Sequence, residues 1–113
     1  MTVSPRQADL EQELTLIKED LEAFAEAQNY KAIDEFLNYS EYLMAYINVR
    51  TKQLVGFNID VIDGGPYVNL EYTRGWRCVV IGYWRGINLT KDVNTAACEA
   101  VLERLESYLN NSF

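Results

Sequence analysis

Residues 58–72, Asn-Ile-Asp-Val-Ile-Asp-Gly-Gly-Pro-Tyr-Val-Asn-Leu-Glu-Tyr, alternate apolar and polar side chains on both sides of Asp63-Gly64-Gly65-Pro66. Side chains on a strand change face at every residue, so each flank has one apolar and one polar face. A register that sets Val61 opposite Val68 also sets Ile59 opposite Leu70 and Phe57 opposite Tyr72. The same register sets Asp60 opposite Asn69 and Asn58 opposite Glu71 on the polar face. Slipping it by one residue would mix the faces. Gly64 and Gly65 tolerate the positive φ of a tight turn, and Pro66 restricts the exit. The stretch predicts a hairpin of two strands, Leu54–Ile62 and Tyr67–Thr73.

A third strand follows over Arg77–Trp84, after a turn at Thr73-Arg74-Gly75-Trp76. Cys78, Val80, Gly82 and Trp84 share one of its faces, and Val79, Ile81 and Tyr83 share the other, so both faces are apolar. The polar face of its neighbours (Asn58, Asp60, Asn69, Glu71) argues against a second covering layer. The sheet is therefore expected to keep an open face where aromatic groups sit beside carboxylates.

Helices flank this meander. Ser4-Pro5 is a helix start, with Ser4 as cap and Pro5 at the first helical position. Leu10, Leu14, Ile17, Leu21 and Phe24 then recur at helical spacing to about Gln28. That stripe suits packing on the chain's own core or a dimer seam. A break at Asn29-Tyr30 precedes a second helix over Lys31–Ile47, although Tyr42–Val49 also suits a strand. A last helix runs from about Asp92 to Asn110, capped by Asp92 or Asn94, with Cys98, Leu102, Leu105 and Leu109 in register. The expectation is one α+β domain over 1–113: an acidic helical part (1–47), a three-stranded antiparallel meander (54–84) and a C-terminal helix (92–110).

Composition excludes more than it names. The chain has no histidine, which removes the commonest general base, the commonest transition-metal ligand and any Ser-His or Cys-His pair. No apolar run reaches the ~18 residues of a membrane span, and the first residues lack a basic start before an apolar stretch, so a cytoplasmic protein is expected. Cys78 and Cys98 then read as buried free thiols, with a disulfide as the alternative that a reducing compartment does not support. Two acceptor motifs, Asn38-Tyr39-Ser40 and Asn88-Leu89-Thr90, lack a secretory context.

The net charge of −7 is one-sided. Residues 1–41 hold ten acids and three bases, while residues 42–113 hold seven of each. Such a surface repels nucleic acid and anionic membrane and draws basic partners. It also weighs against a nucleic-acid interface built from Arg74, Arg77 and Arg85 with the aromatic residues. Asp60, Asp63 and Glu71 lack calcium-loop spacing, Asp60 and Glu71 as a hydrolytic pair rest only on a shared face, and Gly64-Gly65 leads into a strand, not a helix N-terminus, so it is no phosphate cradle. No catalytic, metal or cofactor residue is assigned.

VIDGGPYVNLEY followed by VVIGYW, spanning roughly Val55 to Trp84, resembles a pattern in small acidic proteins of bacterial phages, plasmids and integrated elements. There a Gly-Gly-Pro hairpin precedes a Gly-Tyr-Trp or Gly-Trp-Trp strand behind an acidic helix. Proteins of this size and acidity from such elements include anti-CRISPR inhibitors, which bind a nuclease or surveillance complex and often occupy its DNA surface. The resemblance implies a phage-encoded inhibitor acting in the host cytoplasm, and carries over no binding residue. The chain is accordingly expected to be a non-enzymatic, DNA-mimicking inhibitor of a protein partner with a basic nucleic-acid-binding surface, with no direct contact to nucleic acid or membrane. Glu11, Glu13, Glu19, Asp20, Glu22 and Glu26 are its expected partner-binding acids, with Trp76 and Trp84 as anchors. The alternative is a small adaptor that homodimerises through the N-terminal stripe, and a hydrolase using Asp60 and Glu71 is the remaining reading.

Overall fold

A computed structural model describes residues 5–62 and 66–112, with side chains over 8–62 and 66–109. The expected cap at Ser4 and the turn residues Asp63, Gly64 and Gly65 lie outside the described residues. The elements are α1 (Pro5–Glu26), α2 (Tyr30–Asn38), β1 (Leu43–Ile47), β2 (Leu54–Ile62), β3 (Tyr67–Thr73), β4 (Cys78–Trp84), β5 (Ile87–Val93) and α3 (Thr95–Ser112). The fold is α+β, as expected, but the three-stranded meander is part of a five-stranded antiparallel sheet in the order β1-β2-β3-β4-β5.

The central hairpin has the expected register over four pairs: Phe57↔Tyr72, Asn58↔Glu71, Ile59↔Leu70 and Asp60↔Asn69. Beyond Asp60 the register shifts, and Val68 pairs with Ile62 instead of Val61. Phe57, Ile59, Val68, Leu70, Tyr72, Cys78 and Val80 are buried beneath the helices.

Of the additional strands, β1 takes the strand alternative at Tyr42–Val49 over the longer helix, and β5 comes from a stretch left unassigned up to Lys91. The second helix stops at Asn38 instead of running to Ile47, and the apolar run after it pairs with β2 as β1. The β1–β2 turn contains no glycine. Asn48 Oδ1 accepts the N–H groups of Arg50 (2.9 Å) and Thr51 (3.1 Å), and Lys52 takes a left-handed φ of 62°. The last helix begins at Thr95, not Asp92, because Ile87–Val93 returns along β4 after a two-residue turn, Arg85 (φ 46°) and Gly86 (φ 84°). Asn94 caps α3 by accepting the Ala96 N–H at 2.8 Å.

All three helices lie on one face of the sheet. α1 crosses β4 and β5, and α3 lies over β2 and beside α1 and α2. Gly82 lets α1 approach: a Cβ there would stand 2.8 Å from Leu10 Cδ1 and 3.0 Å from Leu14 Cδ2. The N-terminal stripe is spent on this contact, with Leu10, Leu14 and Leu21 buried within the chain. α1 ends where Gln28 takes φ 53° and the Asn29 N–H reaches the Phe24 carbonyl at 2.8 Å.

The cysteines are not free. Cys78 on β4 and Cys98 on α3 are joined by a disulfide, their Cα atoms 6.1 Å apart. One sits in a strand and the other in a helix, but the packing of α3 on the sheet brings them within bonding geometry.

Candidate partner-binding surfaces

α1 lies across the sheet with Leu10, Leu14 and Leu21 inward and one flank against α2 and α3, so its outer sides face solvent. Glu11, Glu13, Glu19, Asp20 and Glu26 are exposed there. Glu13 and Asp20 stand seven residues apart on one side of the helix, and Glu19 and Glu26 likewise on its crest, each pair about 10.5 Å apart along the axis. Leu16, 46% exposed, lies between these two rails. Among the described residues, none of these five carboxylates takes part in an ion pair; the pairs are Lys18–Glu22, Arg74–Glu99, Arg77–Asp92 and Arg104–Asp34.

Glu22 differs from the other five. Its carboxylate accepts from Lys18 Nζ at 2.8 Å and from the Asn94 N–H at 3.0 Å, tying α1 to the start of α3. The Lys18 bond holds its carboxyl below the ordinary range against an opposing effect of burial. The structure therefore places Glu22 in an internal link.

The two tryptophans are on opposite sides of the sheet. Trp76, in the β3–β4 turn, is 84% exposed and borders a shallow groove with Glu71, Thr73, Arg77, Val79 and Ile81 on the helix-free face. Trp84 is half-buried on the helix side, sharing a cleft with Asp9, Leu10, Gln12 and Glu13, and the Arg85 guanidinium sits 4.9 Å from its ring centre. Only Trp84 thus lies beside the acids of α1.

No helix covers the other face of the sheet among the described residues, although Val79 on it is buried. Tyr67 and Tyr83 form a cross-strand pair with ring centres 6.5 Å apart, near Asn69 and Ile81. Two of its carboxylates, Asp60 and Glu71, serve local structure. Asp60 Oδ1 accepts the N–H groups of Glu41 (2.9 Å) and Tyr42 (2.6 Å), fixing the entry to β1, and Glu71 accepts from Tyr46 Oη at 3.3 Å. Among the described residues no group of three His, Cys, Asp or Glu side chains is placed to hold a metal. No helix among them is long and apolar enough to cross a membrane.

Two further clusters went unread in the sequence, because their members lie far apart in the chain. Tyr72 Oη donates to Glu99, which also pairs with Arg74 Nη2 at 3.1 Å. Arg74 holds the Glu99 carboxyl below the ordinary range, while burial, with Glu99 beside it, pushes the Tyr72 phenol up to about 12. Arg104 makes a two-point contact with Asp34, at 2.6 and 2.8 Å, and its guanidinium lies 5.6 Å from the Tyr30 ring centre. Both clusters pin α3 in place, to β3 and to α2.

No protein-family model matches the chain, and no curated protein or solved structure matches it. A reading of function rests on these surfaces.

Proposed function

We propose that this protein is a non-enzymatic binding protein that inhibits a basic, nucleic-acid-handling assembly, in the manner of an anti-CRISPR protein carried by a phage. The observation that supports this reading is the set of five exposed α1 carboxylates, Glu11, Glu13, Glu19, Asp20 and Glu26, that have no cation of their own among the described residues. Two rails of carboxylates on a rigid helix offer lysines and arginines of a target what a phosphate backbone offers them, at fixed spacing. Trp84 lies at the edge of this surface as its apolar contact, and Leu16 lies within it. The site of action would be the host cytoplasm, with the buried Cys78–Cys98 bond sheltered from reductants.

The test is retention of partners from nuclease-treated bacterial lysate on the immobilised protein, identified by mass spectrometry. A second column carries Glu13→Lys, Glu19→Lys, Asp20→Lys and Glu26→Lys together. The expected result is a nucleic-acid-binding complex held at low salt, released by added salt, and absent from the second column. Once isolated, the complex should lose DNA as the protein is added. Equal retention of the same complex by the charge-reversed protein would remove phosphate mimicry from the account.

A further inference from the structure

We propose that β1 is a dimerisation edge: two copies of this chain join their β1 strands antiparallel about a two-fold axis through Ala45, forming one sheet of twice the present five strands. This surface is separate from the acidic helix and from the α1 stripe, and the inference stands or falls independently of the inhibitor reading.

The backbone sets the register. Among the described residues β1 pairs only with β2, so half of its N–H and C=O groups face out of the sheet. The Asp60 N–H donates to the Tyr42 carbonyl at 3.2 Å, and the Asn48 N–H donates to the Gln53 carbonyl at 2.9 Å. Tyr42 and Asn48 therefore point their hydrogen-bonding groups toward β2. Antiparallel ladders alternate, so Met44 and Tyr46 do the same, while Leu43, Ala45 and Ile47 point theirs outward. These three outward residues are symmetric about Ala45. A second β1 laid antiparallel on that centre pairs Ala45 with Ala45, and Leu43 with Ile47 twice, using every outward group. On the helix-free face the same register sets Met44 opposite Tyr46. Small meets small, large meets large, and the helix-bearing faces of both copies fall on one side.

The side chains agree. No charged residue occurs from Tyr42 to Val49, and Met44 and Ile47 are 58% and 57% exposed. The opposite edge, β5, carries Lys91 and Asp92, the kind of charge that keeps an edge from pairing. β1 has no such guard: the extra residue at the β1–β2 irregularity, Val55, is on β2. Beside Leu43 on the helix side, a cleft of mixed lining offers the incoming Ile47 contact with Leu37, Ile59 and Leu105, with Asn38, Ser40 and Glu41 at its polar part.

Charge complementarity selects a second copy as the occupant. Glu41 precedes the uncharged stretch and Arg50 follows it, so antiparallel pairing brings the acidic end of each strand to the basic end of the other, twice. The net charge of −7 does not oppose this. Most of it is on α1, where seven acids against two bases give −5, and α1 lies over β4 and β5. Seven strand spacings would separate β4 from its copy, about 34 Å, several times the Debye length at physiological salt.

The experiment measures the mass of the full chain by sedimentation from micromolar to submillimolar concentration, alongside Ala45→Asp, with circular dichroism confirming the fold of each. The expected result is a concentration-dependent rise from 13.0 kDa toward twice that mass. Ala45→Asp, which sets two carboxylates face to face on the axis, should weaken association about tenfold or more. Should Ala45→Asp fail to fold, Ala45→Cys decides. Cys78 and Cys98 are bonded to each other, so Ala45→Cys adds the single free thiol of the chain. Cα atoms about 5.5 Å apart across the axis suit an intermolecular disulfide. Mild oxidation should give a covalent dimer with Ala45→Cys and none with Asn88→Cys on the β5 edge. A monomer at every concentration, a dimer indifferent to Ala45→Asp, or equal cross-linking at both positions would overturn the proposal.

Discussion

Reduction of the Cys78–Cys98 bond should lower the melting temperature by an amount set by the loop it closes. The two cysteines are 20 residues apart, and the loop runs from β4 through β5 into α3. In the chain-entropy account, closing a loop of that length removes about 11 cal/mol/K from the unfolded chain, or about 3 kcal/mol at 25 °C. Unfolding entropy scales as about 2.1 cal/mol/K per residue, or about 240 cal/mol/K for this chain, so each kcal/mol is worth about 4 °C. The expected fall is therefore about 13 °C. Both cysteines are at most 2% exposed, so the reduced form is made by unfolding in reductant and refolding there. Melts of the oxidised and reduced forms are then followed by circular dichroism at one protein concentration, since association also shifts the midpoint. Thiol titration of the denatured, unreduced protein should find no free thiol. Two thiols in that titration would refute the bond itself. A fall below about 4 °C with the bond present would refute the entropic reasoning, since it would leave less than about 1 kcal/mol for the cross-link.

The contact of α1 with β4 predicts that Gly82→Ala costs about 1 kcal/mol and Gly82→Val about 2–3 kcal/mol, read from urea unfolding, because Leu10 and Leu14 must move aside. The Tyr72–Glu99–Arg74 cluster predicts opposite behaviour at the two ends of the pH scale. Glu99 titrates below its ordinary 4.5 in the folded chain, so its contribution is present above that pH and lost as pH falls through the folded value; Glu99→Gln should flatten the acid limb of a stability–pH curve. Tyr72 is raised from 10.0 to about 12, so its contribution is complete below pH 10 and disappears as pH climbs to about 12; Tyr72→Phe should remove that loss and the latest step of phenolate absorbance. Asp60→Ala should cost about 1 kcal/mol in urea unfolding and speed hydrogen exchange at the Tyr42 amide, because the carboxylate that accepts the Glu41 and Tyr42 N–H groups is gone.

The hairpin was legible because one of its faces is buried and the other is not, so burial and alternation carry the same information from Phe57 to Asp60. β1 carried no such signal. An edge strand exposed on both faces is not obliged to alternate, and Leu-Met-Ala-Tyr-Ile fits a helix as readily as a strand. Its turn, built on Asn48 and Lys52, lacks the glycine by which turns are recognised. β5 was hidden by Lys91, which occupies a helix-facing position between Leu89 and Val93 yet donates to Thr15 Oγ1 on α1 at 2.6 Å. A lysine there breaks the apolar alternation, and only the contact with a residue 76 positions away makes it fit. The same limit applied to Glu22, whose acceptor role toward Asn94 no local pattern encodes, and to the disulfide, which depends on how α3 lands on the sheet. Exposure of the other α1 acids was readable, since the leucines at helical spacing fix which side of α1 is inward.

The two proposed surfaces lie at opposite ends of the sheet, and that arrangement has a consequence for binding. A dimer through β1 would carry two acidic α1 helices about 38 Å apart, on the same side of one continuous sheet. A target with a single basic groove would engage one helix per dimer, whereas an extended groove or a pair of adjacent target molecules would engage both. In the second case the linked helix binds at raised effective concentration, and dimerisation multiplies affinity with no new contact to the target. Ala45→Asp separates the cases, because it leaves every α1 carboxylate in place. Against an isolated target it should leave the affinity per helix unchanged and accelerate dissociation only where both helices were engaged. Equal dissociation of the monomeric and dimeric forms would mean that each α1 acts alone.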